Sequence, residues 1–327
     1  MVYRSIGHAK GTTGFEVHAR NRCGVTLGSG PAAEVHIDVQ LVRRLLAAQF
    51  PQWADLPLAP VDAAGWDNCI YRLGTDLVVR LPRRALGAAH LDRERQWLPM
   101  LAPRLPLPVP VPLREGMPAE GYPWHWMVCR WLAGKIAAVQ PVADLGQAAA
   151  VLAHFVTALQ AIESAGGPDS EFRGGPLAEH DQAVRAAIEA LHDAFDPAAV
   201  IAAWEAALAA PRWTGPAVWM HGDLHPANLL VHRGRISAVI DFGLVAVGDP
   251  ACDLMVAWTF LTAPARRRFR AALAVGDSTW ARGRGWALQF GLRCAAHADN
   301  NPVLGRIGQH TVSEVLADHG YAAPAHD

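Results

Sequence analysis

The chain has 327 residues, of which 51% are hydrophobic, and this is enough for one large or two medium-sized domains with a sizeable core. A formal net charge of −1 argues against nucleic acid or an anionic membrane as the main partner, and no apolar run approaches the ~18 residues that a membrane span needs. Five widely spaced cysteines, with no C-x-x-C pair, favour free thiols in a reducing cytoplasm.

The first segment contains little that predicts regular structure. Residues 1–34 are rich in glycine and lack hydrophobic periodicity, so we expect a disordered tail, and they show no apolar stretch of the kind that a secretory signal needs. A helix should follow, capped by Asp38 and ended by Pro51. Its apolar residues recur at helical spacing, at Val42, Leu45, Leu46 and Phe50.

Apolar runs on both sides of a turn predict a β-hairpin in the next segment. Residues 65–73 form one arm and residues 77–81 the other. Gly74, Thr75 and Asp76 form the turn between them. We therefore expect these strands to lie in one sheet.

An acidic residue interrupts the apolar face of the helix predicted over residues 91–101. Glu94 lies three residues after Leu91 and four before Leu98, which both belong to that face. A carboxylate on an apolar face needs a partner, because an unpaired buried charge is very costly. Arg80, in the preceding strand, is the natural partner, and a solvent-exposed pair between Glu94 and its helix neighbours is the alternative.

The middle of the chain marks a change from strands to helices. Residues 124–132 predict a buried strand, and the Ala-rich sequence that follows predicts helices after Asp144, over Pro176–Phe195 and after Asp196. The last helix should end at Gly320. A sheet-rich first part and a helical second part predict an α+β protein.

A second hairpin is predicted in the most polar stretch of the chain, residues 219–253. The runs 229–231 and 236–240 are strand-like. A two-residue turn at Gly234-Arg235 would place Asn228 opposite Asp241 at the open end of this hairpin.

Three side chains at that open end are of the kind that binds a hard cation. Asp223 lies five residues before Asn228, in a loop that Pro226 keeps from forming a plain helix. Together with Asp241 they bring two carboxylates and a carboxamide into one small volume, where the carboxylates repel each other unless a cation lies among them. Such oxygen ligands suit Mg²⁺, which often shares its shell with substrate phosphates.

Two motifs in this stretch have the order and spacing of the phosphoryl-transfer template. The first is His221-Gly222-Asp223-Leu224-His225-Pro226-Ala227-Asn228, of the form H-x-D-x-x-x-x-N, and the second is Asp241-Phe242-Gly243. With Gly after the first His, and a second His two residues after the Asp, the chain resembles the aminoglycoside/macrolide phosphotransferase family. Members of that family are small-molecule kinases with a protein-kinase-like fold.

The resemblance implies a bilobal protein-kinase-like fold, with a sheet-rich, nucleotide-binding N-lobe over residues 35–130 and a helical C-lobe over residues 131–327. It implies that the γ-phosphate of ATP or GTP moves, with Mg²⁺, to a hydroxyl of a small molecule such as an aminoglycoside-like or macrolide-like antibiotic. We expect a cytoplasmic monomer or weak dimer that binds neither nucleic acid nor membranes.

The resemblance also implies roles in the catalytic loop and the metal site. Asp223 accepts the proton of the substrate hydroxyl or orients that hydroxyl. His221 supports the loop, and His225 contributes to positioning. Asn228 and Asp241 hold Mg²⁺.

In the nucleotide site, the resemblance implies that Arg80, steadied by Glu94, clamps the phosphates. Gly65 and Asn68 belong to the Gly-Trp-Asp-Asn segment of the hairpin that lies over the nucleotide. A complete G-x-G-x-x-G loop is absent, and Arg80 stands where kinases place a lysine. Arginine keeps the charge and adds a bidentate fork.

Two other functions stay open at this point. The missing glycine loop and Arg80 favour a nucleotide-binding module without catalysis. His221-x-Asp223-x-His225 alternatively resembles part of a zinc site in a hydrolase, but no further His-rich cluster completes it.

Several charged residues near these motifs have simpler structural interpretations. Asp249 and Pro250 are typical of the N-cap and first position of a helix through residues 252–261, and Asp253 would favour the dipole in its first turn. Residues 266–268 are three consecutive arginines and predict a solvated helix face.

The acceptor is the part of the site that the sequence specifies least. Residues 131–327 hold 14 Lys and Arg against 19 Asp and Glu, so a cationic acceptor is favoured. A hydroxylated amine fits, with an aminoglycoside slightly ahead of a macrolide. Candidate contacts are the acidic residues Glu171, Glu179, Asp181 and Asp299, and the aromatic residues Trp204, Trp213, Trp280, Trp286 and Phe290. The alternative for Trp280, Trp286 and Phe290 is a place in the core, which is the more common one for aromatic residues at helical spacing.

Overall fold

The computed structural model describes residues 32–61, 67–170 and 172–320. A lobe built on a five-stranded sheet is followed by a mostly helical lobe, which confirms the predicted α+β fold with a sheet-rich first part and a helical second part. The predicted tail, residues 1–34, lies outside the described residues as far as residue 31. The lobe boundary at residues 130 and 131 stays a prediction.

The strands come in two groups, one in each lobe. In chain order they are β1 Leu58–Pro60, β2 Asn68–Leu73, β3 Leu77–Pro82, β4 Pro112–Gly116, β5 Trp126–Arg130, β6 Lys135–Ile136, β7 Val218–Met220, β8 Leu229–His232, β9 Arg235–Val239 and β10 Ala246–Gly248.

The helices are concentrated in the second lobe. In chain order they are α1 Val39–Gln49, α2 Ala85–Leu101, α3 Leu145–Gln160, α4 Asp181–Ala190, α5 Pro197–Leu208, α6 Val256–Thr259, α7 Ala263–Leu273, α8 Asp277–Ala296 and α9 Pro302–His319.

The N-lobe sheet has the strand order β1-β2-β3-β5-β4, with antiparallel neighbours throughout. Strands β2 and β3 form the predicted hairpin, in which Leu73 lies opposite Leu77 and Gly74 begins the turn with a φ of 58°. Arg80 pairs with Met127 of β5. Arg80 therefore lies on the central strand of the sheet, where its side chain is buried.

The two N-lobe helices differ in how well the sequence defines them. Helix α1 begins as predicted, because Asp38 Oδ1 accepts the Leu41 N–H at 2.7 Å. Helix α2 begins at Ala85, six residues before the predicted start at Leu91. Its first turns carry little apolar signal, and a Cβ on Gly87 would lie 2.6 Å from the Asp67 carbonyl oxygen, so this helix start depends on close packing.

The caps of the C-lobe helices follow the prediction. Asp144 accepts the Gly146 N–H at 2.7 Å, Asp196 accepts the Ala198 N–H at 2.9 Å, and Gly320 ends α9 with a φ of 88°. The single helix predicted over Pro176–Phe195 is wrong. A 3₁₀ turn at Leu177–His180 precedes α4, and a second turn after Ala190 brings Asp196 to the cap of α5.

Two structural predictions in the C-lobe need correction. The helix expected over 252–261 is a 3₁₀ turn, Cys252–Met255, followed by the short α6. Arg266 is not solvated, since its side chain is buried and its Nη1 lies 2.8 Å from Glu314 Oε2. Only the next two arginines of the triplet are exposed, because one face of α7 packs on the lobe.

Within the described residues, no helix is long and apolar enough to cross a membrane. Cys129, Cys252 and Cys294 are buried free thiols, and Cys69 is a partly exposed one.

Candidate active site

The H-x-D-x-x-x-x-N motif forms a loop between β7 and β8. Within the loop, Gly222 has a left-handed φ of 80°. A Cβ at this position would lie 2.6 Å from the carbonyl oxygen of Leu244. Only glycine fits this approach without displacing backbone. The loop is thereby packed tightly against the residues that follow the D-F-G motif.

The side chain of Asp253 holds the backbone of this loop. Its Oδ2 accepts the His221 N–H at 2.7 Å, and its Oδ1 accepts the Gly222 N–H at 2.9 Å. The side chain is fully buried, and burial raises its pKa to about 6 although both N–H groups act in the opposite direction. Asp253 lies in the first turn of the Cys252–Met255 3₁₀ helix, as predicted, but its carboxylate binds the catalytic loop, which the prediction did not include. A charge in the apolar run 251–258 was the sequence signal for a buried partner.

His221 joins the catalytic loop to the strand before the D-F-G motif. Its Nδ1 accepts the Asp223 N–H at 3.2 Å, while its Nε2 lies 3.0 Å from the Ile240 carbonyl oxygen and donates to it. Burial lowers the pKa of the ring, in agreement with this neutral form. The ring also packs on Phe242, with 4.5 Å between centroids. These contacts fit the predicted supporting role.

The two carboxylate oxygens of Asp223 have different surroundings. His225 Nε2 and Asn228 Nδ2 each lie 3.2 Å from Oδ2. Oδ1 has no hydrogen-bond partner among the described residues, and the nearest cation is Arg173, whose Nη2 lies 3.5 Å away. Burial works against the charged carboxylate, but His225 and Arg173 hold the pKa of Asp223 far below its usual range. The group is therefore an anion at neutral pH.

The D-F-G motif brings a second buried carboxylate to the same place. Asp241 has a left-handed φ of 65°, and Phe242 is fully buried beside Phe155. Burial raises the pKa of Asp241, and the neighbouring carboxylates Glu94 and Asp223 raise it further. Asp241 thus lies near two other carboxylates, Glu94 and Asp223.

The hairpin that carries Asn228 has a different register from the predicted one. Its turn is Arg233-Gly234, with φ values of 51° and 75°, instead of Gly234-Arg235. Two positive φ values match the twist of the flanking strands. The Ile240 N–H donates to the Asn228 carbonyl at 2.9 Å, so Asn228 lies opposite Ile240 and next to Asp241.

Asn228 and Asp241 fit Mg²⁺ by their chemistry. Asn228 Nδ2 donates to the Asp223 carbonyl at 2.9 Å, which leaves Oδ1 of the amide as the acceptor for another group. A cation beside Asp241 would offset the charge that raises its pKa. No group of three or more His, Cys, Asp or Glu in the described ranges is arranged to hold a metal ion. Mg²⁺ needs only one or two protein carboxylates when phosphates and water complete its shell.

The predicted ion pair between the N-lobe strand and helix is present. Arg80 Nη2 lies 3.2 Å from Glu94 Oε1, and Nη1 contacts Oε2. Both side chains are buried, and Glu94 raises the pKa of Arg80 against the effect of burial. Asp241 also acts electrostatically on Arg80, so the pair and the D-F-G carboxylate lie close to one another.

The structure describes only one of the two other residues predicted to bind the nucleotide. Gly65 lies outside the described residues. Asn68 begins β2 opposite Pro82, and its buried Oδ1 has no hydrogen-bond partner in the part of the chain that the structure describes. The sequence did not indicate a role for its neighbour Asp67, which binds Arg84 at 2.6 Å and His90 at 2.9 Å.

A contact between the lobes places the Asp67, Arg84 and His90 side chains next to the D-F-G motif. A Cβ on Gly243 of the D-F-G motif would lie 2.8 Å from the Cβ of His90. The start of β2, the α2 helix and the D-F-G motif therefore meet on one side of the site.

Arg173 is the site residue that sequence reasoning missed most completely. Its side chain is buried between α8 and the catalytic loop, where Nη1 donates to Gln289 Oε1 at 2.5 Å. Its partners are 50 and 116 residues away in the chain, so local pattern could not find them. The adjacent Gly174-Gly175 pair, which marks a special backbone, was the only signal.

The acceptor candidates are divided between the core and the surface, and Trp280, Trp286 and Phe290 take the core alternative. Trp204, Trp280, Trp286 and Phe290 are buried and belong to the core, whereas Trp213 is 39% exposed. Asp181 is paired with Arg185 at 3.0 Å and with the Trp204 indole at 2.8 Å. Glu179 and Asp299 are exposed, and Glu171 lies outside the described residues.

Comparison with solved structures identifies similar folds. The GDP complex of aminoglycoside 2'-phosphotransferase-IIIa matches 86% of this chain and 100% of its own, with 20% identity and a TM-score of 0.64. Macrolide 2'-phosphotransferase type I matches 86% and 98%, with 20% identity and a TM-score of 0.59. Macrolide 2'-phosphotransferase MphH from Brachybacterium faecium matches 84% and 97%, with 25% identity and a TM-score of 0.56.

The sequence comparisons give one answer. No curated protein matches the chain significantly. The model of the phosphotransferase enzyme family matches residues 59–286, which is more than half of the chain and includes both motifs. The chain therefore belongs to the phosphotransferase enzyme family.

Proposed function

We propose that this protein transfers the γ-phosphate of ATP or GTP, with Mg²⁺, to a hydroxyl of a small molecule. The observation that carries the proposal is the meeting of three parts in one site: the Asp223 carboxylate of the catalytic loop, the neighbouring Asn228 and Asp241, and the Arg80–Glu94 ion pair. These are the parts that phosphoryl transfer needs for positioning and charge stabilisation. The free thiols agree with action in the cytoplasm.

Asp223 has the central role in the proposed reaction. Its Oδ1 is buried against Arg173, so its Oδ2 orients the acceptor hydroxyl, and the hydroxyl proton passes to this oxygen as the new bond to the γ-phosphorus forms. The bond between the γ-phosphorus and the bridging oxygen breaks, and its electron pair leaves with the nucleoside diphosphate. An aspartate with so low a pKa is a weak base, so we assign most of its effect to orientation.

The other residues act on charge and position. Arg80, held by Glu94, contacts the phosphates of the nucleotide. Asn228 and Asp241 hold Mg²⁺, which when bound neutralises charge on the transferring phosphoryl group. His221 and Asp253 fix the backbone of the loop, and His225 fixes Oδ2 of Asp223.

For the acceptor we propose a hydroxylated amine of the aminoglycoside or macrolide class. The net negative charge of residues 131–327 favours a cation. Exposed Glu179 and Asp299 remain candidate contacts, as does exposed Trp213. The buried tryptophans are not candidates for direct stacking.

An acceptor panel tests the function. Purified protein is incubated with labelled ATP or GTP, Mg²⁺ and a panel of aminoglycosides, macrolides and neutral sugars, and labelled product is measured by mass spectrometry. We expect transfer to at least one amine-bearing acceptor, with none in the Asp223→Ala variant although it still binds nucleotide. An acceptor affinity that falls steeply with salt indicates a polycation, whereas tight, salt-insensitive binding of a neutral sugar would refute a cationic acceptor.

The second candidate is a nucleotide-binding module without catalysis. Arg80 in place of a lysine favours it, together with the incomplete glycine loop. This function predicts Mg²⁺-dependent nucleotide binding with no phosphorylated product from any acceptor in the panel.

A further inference from the structure

Arg173 is a buried cation that neither sequence motif contains. Its side chain is 2% exposed, and a buried charge needs a compensating partner. Its contacts among the described residues are Gln289 through Nη1 and Asp223 through Nη2. Nη2 has no hydrogen bond there and faces Asp223 Oδ1, which has none either. Two buried, oppositely charged atoms thus face each other at 3.5 Å.

The two oxygens of Asp223 are therefore divided between two tasks. Oδ2 lies 3.2 Å from both His225 Nε2 and Asn228 Nδ2, which belong to the catalytic loop itself. Oδ1 is left for a group from outside the loop. A carboxylate held only through Oδ2 could rotate about its Cβ–Cγ bond, and the attraction of Arg173 for Oδ1 limits that rotation.

The backbone around Arg173 is firmly held. The Arg173 N–H donates to Ser170 Oγ at 2.8 Å, and the Gly174 carbonyl accepts the Asp249 N–H at 3.0 Å. Gly174 has a φ of 73°, and a Cβ there would lie 2.4 Å from the Met220 Cε. The segment is thus packed on β7 and β10, and β7 leads directly into the catalytic loop.

Helix α8 supplies the other wall around the guanidinium. Gln289 accepts its hydrogen bond, and the guanidinium carbon lies 5.8 Å from the Trp286 ring centre and 5.9 Å from that of Phe290. The Phe290 ring also packs on His225, with 4.8 Å between centroids. Arg173 therefore lies between α8 and Asp223, and Phe290 of the same helix packs on His225.

We propose that Arg173 is a positioning residue for phosphoryl transfer, which holds the buried Oδ1 of Asp223 so that Oδ2 faces the acceptor hydroxyl, while Gln289 orients Arg173. The proposal rests on the proposed function. The hydroxyl then meets Oδ2, because Oδ1 is buried and faces Arg173. An amine or carbonyl of the acceptor is not required to contact Arg173, since its side chain is buried behind the carboxylate.

The test compares Arg173→Met, Arg173→Lys and Gln289→Leu with wild type, and uses Arg284→Met as the matched control. Arg284 is a largely buried arginine of α8, but its carboxylate partner is Asp318, 3.7 Å away and outside the site. We expect Arg173→Met to lower kcat about 100-fold with unchanged KM for the nucleotide. Arg173→Lys should recover part of the loss because it keeps the charge, and Arg284→Met should leave kcat unchanged.

A crystal structure of Arg173→Met provides a readout that does not depend on activity. We expect the Asp223 carboxylate to be rotated relative to wild type, with Oδ2 no longer bound by both loop donors. Wild-type kcat in Arg173→Met, or an unrotated Asp223, would overturn the proposal. If Arg173→Met does not fold, the same two measurements on Gln289→Leu decide. If wild type phosphorylates no acceptor, the proposed function fails, whereas the orientation of Asp223 in the variant crystals still decides the positioning claim.

Discussion

Glu94 of α2 contacts both arms of the Arg80 guanidinium from β3, so one buried ion pair joins a strand and a helix of the N-lobe. Glu94 is 1% exposed and Arg80 is 9% exposed. The pair fixes a cation near Asp241, on the side of the site where we place the nucleotide phosphates.

Glu94→Gln should weaken both the fold and nucleotide binding. Removing one charge leaves Arg80 buried without compensation, so the free energy of unfolding should fall by about 3 kcal/mol. The Kd for ATP should rise about tenfold, which equals about 1.4 kcal/mol, because the guanidinium is no longer oriented. Denaturant unfolding and calorimetric titration measure these effects.

The control for this prediction is Glu115→Gln. Glu115 pairs with Arg95 at 3.1 Å on the surface, so its loss should change the free energy of unfolding by less than about 1 kcal/mol. Equal stability and equal ATP affinity in the two variants would show that the buried pair has no special role.

Gly222→Ala should disrupt the catalytic loop more than the same change at a glycine of equal φ. Both Gly222 and Gly121 have a φ of 80°, but nothing lies within 4 Å of a Cβ at Gly121. Gly121→Ala should therefore lower the free energy of unfolding by about 1–2 kcal/mol, because alanine disfavours the left-handed backbone. Gly222→Ala should cost about 1–3 kcal/mol more, because its Cβ meets the Leu244 backbone. Chemical unfolding of both variants is the measurement, and identical losses would contradict the tight packing of the loop.

Asp253 should make the fold less stable as the pH rises. Its pKa is about 6 in the folded protein against 3.8 as the ordinary value, so the folded state binds the proton more tightly. The tighter proton binding stabilises the folded state fully below pH 3.8, and this stabilisation is lost as the pH rises through 6. The difference between the two pKa values corresponds to about 3 kcal/mol in the free energy of unfolding.

The Asp253→Asn variant isolates this effect. The stability of wild type relative to the variant should fall between pH 4 and pH 7, as followed by denaturant unfolding at each pH. A difference that stays constant or rises over this range would contradict the raised pKa of Asp253.

Asp241→Asn should remove the effect of Mg²⁺ while the protein stays folded. The buried carboxylate is the charged ligand that we assign to the metal, and the amide carries no charge to attract it. Mg²⁺ should raise the Tm of wild type in the presence of ADP and should not raise that of the variant. His232→Ala, on the exposed tip of the β8–β9 hairpin, is the control and should respond like wild type. An equal Mg²⁺ response in Asp241→Asn would exclude this residue as a ligand.

Features with short-range causes were predictable from the sequence. Caps such as Asp38 and Asp144 act on backbone groups two or three residues away, and the Gly74 turn fixes the β2–β3 register. The Arg80–Glu94 pair was predictable because a carboxylate on an apolar helix face must find a cation. The turn of the second hairpin lies one residue earlier than predicted, since Gly234 can occupy either central position, and this alone would place Asn228 opposite Val239. A bulge between Leu230 and Val231 shifts the pairing back by one residue, so Asn228 lies opposite Ile240.

Features with long-range causes were not predictable. Asp253 and Arg173 meet the catalytic loop across 31 and 50 residues, through contacts that no periodic pattern encodes. The same limit applies to the tryptophans of α5 and α8, which helical spacing places on a face without showing whether that face is core or pocket. In the fold, Trp286 lies beside Arg173, Trp280 packs on Trp258, and Trp204 donates to Asp181.

The central claim is that Asp223 directs phosphoryl transfer, and a single-turnover experiment tests it most directly. The rate of γ-phosphate transfer from ATP to the acceptor found in the panel is measured for wild type and Asp223→Asn, together with the Kd for ATP. We predict a rate about 10²- to 10⁴-fold lower in the variant with the Kd unchanged. Equal transfer rates in the two proteins would contradict the account.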